Sequence, residues 1–404
     1  MADYRPDVLV IGGGMAGLCA AISARLAGAK TRLLEAAPAH MRGGNLRHAR
    51  NIRIPHDAPT RYSPGRYDVV EFAQELGEIS SGKGEAALIR SVSHQAVDLA
   101  DWLVGQGVVF QTRHIPASRR TAFFLGGGKA VVNALYARAQ ALGVEIRFES
   151  DMHRLDLDDL PAKAVAACCG SAQVGSFKTI INRGTPFNAG GLMQELVGAG
   201  AAAIGVPEAA HLVAVDGRSP AHDGGIVTRI DGMQFGVMVD EAGRRFIEET
   251  VVSGPRRYSL WGQAIARLSS PRATLVVDAE GFSKMPMMVF PPISAGTLAD
   301  MAALIGMDVG VLSRSAEESG RVNKPPFFAW PVAPGFTFGC HGLHVDTRAR
   351  VKMQDGSVRQ NLFAAGSIMA AGILHTGYLS GTALTISAVF GRIAGREAAR
   401  HALG

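Results

Sequence analysis

The strongest constraint on what this chain can fold into lies at its N-terminus, where a short apolar run from Asp7 to Ile11 meets Gly12-x-Gly14-x-x-Gly17. Leu18 to Ala27 then continues as an Ala-rich helical pattern, Gly28 ends it, and Thr31 to Leu34 forms a second apolar run before Glu35. This is a β-α-β unit with the crossover that parallel strands require. Each glycine has its own reason: Gly12 permits a tight turn, Gly14 lets the backbone meet a pyrophosphate, and Gly17 allows close helix–strand packing. The helix start, at Met15 and Ala16, offers free N–H groups and a positive dipole end to phosphates. Glu35 is placed to accept hydrogen bonds from an adenosine ribose. Such a unit predicts a bound dinucleotide and does not by itself distinguish FAD from NAD.

Two further apolar runs end alike. Ala164 to Ala167 leads into Cys168-Cys169-Gly170, and Asn361 to Ala365 leads into Gly366, Ser367 and a long apolar helix. Ligands in open α/β sheets bind beyond the carboxyl ends of the strands, so the turns at Gly12, Gly170 and Gly366 are expected to converge. The predicted fold class is α/β. A Rossmann-like, doubly wound, mostly parallel sheet is expected from 1–179 and 332–404. The stretch 180–331 differs in texture, with Arg183-Gly184-Thr185-Pro186, the run 223–229 and Gly243-Arg244-Arg245-Phe246, and reads as an inserted α+β cap domain carrying the substrate.

Composition fits an enzyme of this size. With 404 residues, 47% hydrophobic and 19% charged, the chain suits a large buried core and not a disordered protein. The net charge of +6 comes from scattered arginine pairs without a basic tract, which argues against nucleic acid and for small anions. Four cysteines without a CxxC predict a reduced, cytoplasmic setting and no metal site. Cys168-Cys169 reads as small residues packed at a strand end. The N-terminus shows no export signal. The segment 360–391 has no Asp, Glu, Lys or Arg, yet its five Gly, three Ser, three Thr and His375 suit a cofactor's surroundings better than a membrane span.

Arg42-Gly43-Gly44-Asn45 lies where a flavin would extend from its ADP half, with paired glycines admitting it at backbone distance. Together with the runs 7–21, 122–136, 181–191, 223–229, 243–249 and 362–400, this makes nearly the whole chain resemble the flavoprotein subunits of fumarate reductase and succinate dehydrogenase and their soluble relatives. The nearest likeness is to FAD-dependent tricarballylate dehydrogenase and to the flavoprotein half of a cobalamin-biosynthesis protein that makes precorrin-3B.

The resemblance implies FAD as cofactor, with Gly381, Thr382, Ala383 and Leu384 starting a helix aimed at the flavin pyrimidine ring. In respiratory members a histidine in the loop equivalent to 43–48 is covalently linked to FAD. Asn45 takes that column here, which implies noncovalent FAD, with His48 nearby as the alternative attachment. Ser367 stands where the family commonly has Glu. Tyr378 precedes Ser380-Gly381-Thr382 where fumarate reductases place a substrate-binding Arg before Gly-Gly-Asn, so the implied substrate differs from fumarate and succinate.

Desaturating an acid needs a base beside a carboxylate while hydride goes to flavin N5. The family uses a cap Arg for that proton; Arg256 is the best match, Arg257 the alternative, and Glu248 or Glu249 a relay partner. His375 and Tyr378 are further catalytic candidates, and Arg183, Arg218, Arg229 and His341 are candidates for binding substrate carboxylates. The favoured activity is desaturation of a polycarboxylate of the tricarballylate type. Its electrons would pass to a separate membrane-bound acceptor, holding the protein peripherally at the inner face of the membrane. A flavin monooxygenase or electron donor acting on a cobalamin precursor and a non-catalytic flavin-binding subunit are the other two readings.

Overall fold

The computed structural model describes residues 5–112, 118–171, 181–250 and 257–404. Contacts divide the chain into two compact units, one of Met1–Gln173, Phe187–Ala210 and Phe338–Gly404, the other of Val174–Pro186 and His211–Thr337.

The first unit is organised by a six-stranded sheet. In spatial order it contains Arg350–Lys352, Val358–Ala364, Ala164–Ala167, Val8–Ile11, Thr31–Leu34 and Glu145–Arg147. All neighbours run parallel except the first pair, which is antiparallel. Val8–Ile11 and Ala164–Ala167 are buried at every position, as expected of parallel strands covered on both faces. Ladder bonds continue past the strand ends: Gly12 N–H donates to Leu34 O at 2.8 Å, Cys168 N–H to Ile11 O at 2.8 Å and Ala365 N–H to Ala167 O at 3.1 Å. The three chains therefore leave the sheet side by side, as the converging turns at Gly12, Gly170 and Gly366 require.

Two helices cover this sheet in direct backbone contact. A Cβ at Gly391 would lie 2.4 Å from Ala16 O, and one at Gly395 would lie 2.1 Å from Ala20 O. Only glycine lets Thr382–Leu403 approach Met15–Leu26 so closely, which explains the spacing of Gly391 and Gly395. Because 391 is level with 16 and 395 with 20, the helices are parallel and their N-termini point the same way.

The apolar stretch after Gly366 holds two helices, the second starting after Gly381 as the resemblance implies. A four-residue helix, Ala371–Leu374, ends at His375, and the long helix begins only at Thr382. His375, with φ 51° and ψ −110°, cannot continue a helix, and Gly381 at φ +85° starts the next. Candidate residues His375 to Gly381 thus sit on a connecting loop.

The second unit is α+β. Its sheet joins Ile293–Ala295, Phe327–Leu343, Ala273–Val277 and Val237–Val239 in antiparallel order. Side chains alternate across it. Met238, Leu275, Val277 and Trp330 face one core with Trp261 and Ile265, while Val237, Val239, Val276 and Ala329 face another with Met301, Leu312 and Ala316. The helix Gly191–Gly198, read as part of the cap from sequence, belongs with the first unit, because Leu192, Met193 and Leu196 are buried in that unit's core. Among the described residues no helix is long and apolar enough to cross a membrane.

Candidate functional site

The glycine fingerprint divides into positions the protein needs and one it does not. Gly12 has φ +100°, and a Cβ there would lie 2.6 Å from Cys168 O. At Gly17 it would lie 1.7 Å from Gly12 O, and at Gly13 it would lie 1.9 Å from Tyr136 Oη. Gly14 is different: its φ is −78° and the nearest atom to a Cβ would be Gly43 O at 3.8 Å. No protein atom demands glycine at 14. The space beside it is bounded by Gly43 and Gly44, the latter 3.8 Å from Gly14 Cα by the same measure. Met15–Leu26 has no side-chain N-cap, so its first N–H groups face this space as a helix start does. A cradle of three glycines at an uncapped helix fits the pyrophosphate of a dinucleotide.

Glu35 is buried and well bonded. Its Oε1 accepts from Ala37 N–H at 3.1 Å, and Oε2 accepts from Gly43 N–H at 3.1 Å and from Tyr136 Oη–H at 3.1 Å. It ties the end of Thr31–Leu34 to the Gly43 turn. Burial and the adjacent carboxylate push the Tyr136 hydroxyl far up, so Tyr136 stays a donor. Arg42 lies 5.1 Å over the Tyr136 ring and donates to Ala39 O and Asn133 Oδ1. Asn45 and His48 share the 3-10 turn Gly44–His48 that follows.

The other two turns meet this one. Gly366, at φ +92°, would place a Cβ 2.9 Å from Ala16 Cβ, and Ser367 follows it. Gly170, at φ +85°, is covered by the amide of Asn188, which leaves no room for a Cβ at 170. Among the four cysteines all are free, and burial pushes the Cys19 and Cys340 thiols up to about 12 and raises Cys168 also, which leaves a packing role.

The helix register sets the offset between the two helix starts. Residue 391 is level with 16, so Thr382 lies eight residues ahead of the level of Met15. At a rise of 1.5 Å per residue, the N-terminus of Thr382–Leu403 stands about 12 Å farther along the same direction. Two helix starts without side-chain caps thus stand in a fixed offset along one direction. Thr382 N–H donates to Leu379 O at 3.2 Å and Thr385 N–H to Gly381 O at 3.3 Å. Ala383 and Leu384 carry the N–H groups that a helix start leaves without an intrahelical acceptor.

Three predicted residues lie in this unit near its connecting loops. Tyr378 packs edge-on against Phe338 at 5.7 Å between ring centroids. Burial and, secondarily, Lys83 lower the His375 pKa, while burial lowers that of His341 against the opposing charge of Glu208.

In the second unit the structure brings together Arg183, Arg229 and a residue that sequence reading missed. His211 is 4% exposed, Ser259 Oγ lies 3.4 Å from its Nδ1, and its pKa is held well below the usual value by burial first and then by Arg183 and Arg229. Its signal was present: His211 is the one polar residue between Ala209 and Val215 in an apolar strand. Arg218 is differently placed. Its Nε and Nη2 grip Asp216 at 2.8 and 2.7 Å, and Nη1 donates to Pro291 O at 2.9 Å, so its fork holds two loops together.

Glu248 and Glu249, the relay candidates for Arg256, are both held by arginines. Arg245 bonds both, Glu249 also accepts from Met238 N–H at 2.9 Å, and Arg321 reaches both carboxylates at 3.4 Å. They anchor the 243–246 run. Arg256 lies outside the described residues; Arg257 opens the helix Arg257–Ala266.

A neutral His211 has a measurable consequence. The unfolded chain protonates it near 6.5 while the folded chain resists, so below about pH 6.5 the unfolded state binds more protons and stability falls with pH. The slope is at most about 1.4 kcal/mol per pH unit for this one group. His211→Gln is expected to remove that part of the slope between about pH 6.5 and 5 in thermal unfolding. An unchanged slope would count against a neutral, buried imidazole.

A family model described as FAD binding domain matches residues 7–384. A relative in Shewanella frigidimarina named "Probable fumarate reductase Ifc3" is 25% identical over 458 residues, which cover 98% of this chain and 75% of that one. The structure of the open conformation of a flavocytochrome c3 fumarate reductase superposes with a TM-score of 0.81 at 22% identity, covering 100% of this chain and 79% of the other. The 3-ketosteroid delta1-dehydrogenase from Sterolibacterium denitrificans superposes with a TM-score of 0.79 at 16% identity, covering 98% and 99%. At these identities the structural likeness is one of fold.

Proposed function

The chain belongs to the FAD binding domain family, and we propose that this FAD-dependent oxidoreductase desaturates a polycarboxylic acid of the tricarballylate type with noncovalently held FAD. The observation that supports the substrate class is the buried His211 flanked by Arg183 and by Arg229, whose Nη2 also pairs with Asp231; two largely buried arginines beside a neutral imidazole offer donors that suit a carboxylate. An unpaired carboxylate in such surroundings would cost several kcal/mol, so fixed donors are needed for each one bound.

FAD supplies the two-electron exchange when bound. Gly12, Gly14 and Gly17 with the N–H groups of Met15 and Ala16 are assigned to its pyrophosphate, and Glu35 to its ribose. Arg42, Gly43, Gly44, Asn45, Gly170, Gly366 and Ser367 are assigned to the middle of the cofactor, and Gly381 to Leu384 to its ring. Within the second unit Arg183 and Arg229 are assigned to substrate carboxylates; within the first, His341, His375 and Tyr378 are the candidate polar groups. His211 stays neutral and orients. Arg256 is assigned the substrate proton; an arginine normally remains protonated, so this role needs a water-poor surrounding. Electrons then pass to a separate acceptor, of the membrane-bound kind.

Purified protein is expected to release its FAD on acid precipitation, and in the absence of oxygen tricarballylate is expected to bleach the bound flavin. Flavin that stays with the precipitated polypeptide would contradict noncovalent binding and point to His48. A flavin bleached by none of a panel of polycarboxylates, together with oxygen uptake on a corrinoid precursor, would replace the desaturase reading by the monooxygenase one.

A further inference from the structure

The strand Asn51–Arg53 is short, yet Arg53 is only 5% exposed and engages the start of the last helix through three separate groups. Its Nε donates to Ser380 O at 3.1 Å, its backbone N–H donates to Gly381 O at 3.4 Å, and its carbonyl accepts from Thr385 Oγ1. Thr385 Oγ1 also lies 3.1 Å from Gly381 O, and Asn51 Nδ2 donates to Ser380 Oγ at 3.2 Å. At Gly381 a Cβ would lie 2.6 Å from Arg53 N, so strand and turn touch at backbone distance. Behind the guanidinium, Nη1 donates to Tyr67 Oη at 3.0 Å and to Glu75 Oε2 at 2.6 Å.

A buried ion pair is a weak source of stability, because desolvation offsets much of its attraction. Geometry is the better account of this one. Arg53 draws the carbonyls of Ser380 and Gly381 toward itself, which holds the turn immediately before Ala383 and Leu384 in one conformation. The positive field of the helix start is then set by those two N–H groups. Resting on the FAD reading above, we propose that Arg53 is a positioning residue for the ring end of the FAD site, and that it sets how strongly the chain favours reduced over oxidised FAD. Reduced flavin carries the negative charge that a fixed helix start stabilises, so a loosened turn disfavours it.

The test is the midpoint potential of the bound flavin, read from spectra at equilibrium with a reference dye, alongside FAD content. Arg53→Lys keeps the charge but cannot make the same set of bonds. It is expected to retain FAD while the ratio of affinities for reduced and oxidised forms falls about tenfold, which is about 30 mV more negative for a two-electron couple. Arg53→Met with Glu75→Gln removes both charges of this pair, leaves Arg120 paired with Glu71, and is expected to shift the potential the same way. An unchanged potential in either folded, flavin-loaded variant overturns this proposal and leaves the FAD reading standing. A wild-type chain with no flavin couple overturns both.

Discussion

Gly14→Val is expected to give a folded chain that carries little or no FAD, with affinity reduced on the order of a hundredfold or more, since a side chain would fill the space where backbone must meet pyrophosphate. The structure separates the two effects. At φ −78° a side chain is tolerated, and a Cβ would meet Gly43 O only at 3.8 Å, an ordinary contact. Gly17→Ala is the contrasting case, because its Cβ would overlap Gly12 O at 1.7 Å and the helix could not pack. Circular dichroism and flavin absorbance should therefore divide the pair: native-like but colourless at 14, destabilised at 17. A yellow, fully loaded Gly14→Val protein would remove this loop from the cofactor site.

Arg256→Lys should preserve folding and FAD content and slow flavin reduction by substrate about 10²- to 10⁴-fold, the usual contribution of a proton-transfer group. Lysine keeps the charge but loses the planar fork and changes reach. Arg257→Lys is the internal control. A loss below about tenfold at 256, or an equal or larger loss at 257, would move the proton-handling role to Arg257 or elsewhere.

Much of the first unit was legible because its signals are local. The strand Thr31–Leu34 follows from a short run ending in Glu35, and Ala164–Ala167 and the turns at Gly12, Gly170 and Gly366 from apolar runs that lead into glycine. The helix start at Gly381 was legible through the resemblance, whereas the four-residue helix Ala371–Leu374 and its stop at His375 were not, because the uncharged stretch carries no local signal for them. Glu35 was read correctly as the acidic residue after the second strand, but its bond to Tyr136 spans 101 residues and no spacing rule reaches that far.

Arg218 shows what residue type alone does not reveal: its partner Asp216 stands two residues earlier, and the pairing appears only in the structure. His211 is the converse case. A lone histidine in an apolar strand looks like packing, and only its two arginine neighbours, 28 residues before and 18 after it in the chain, give it chemistry.

The glycines at 391 and 395 do more than bring two helices together. With backbone pressed on backbone, neither helix can slide past the other by a turn without driving a side chain into a carbonyl. The offset between their starting points is therefore as rigid as the packing itself, and the fold carries a built-in caliper. On the proposed FAD reading, a ligand that reached only one jaw would meet half of the donors, whereas one long enough to touch both would be selected by its span before any side chain read its chemistry.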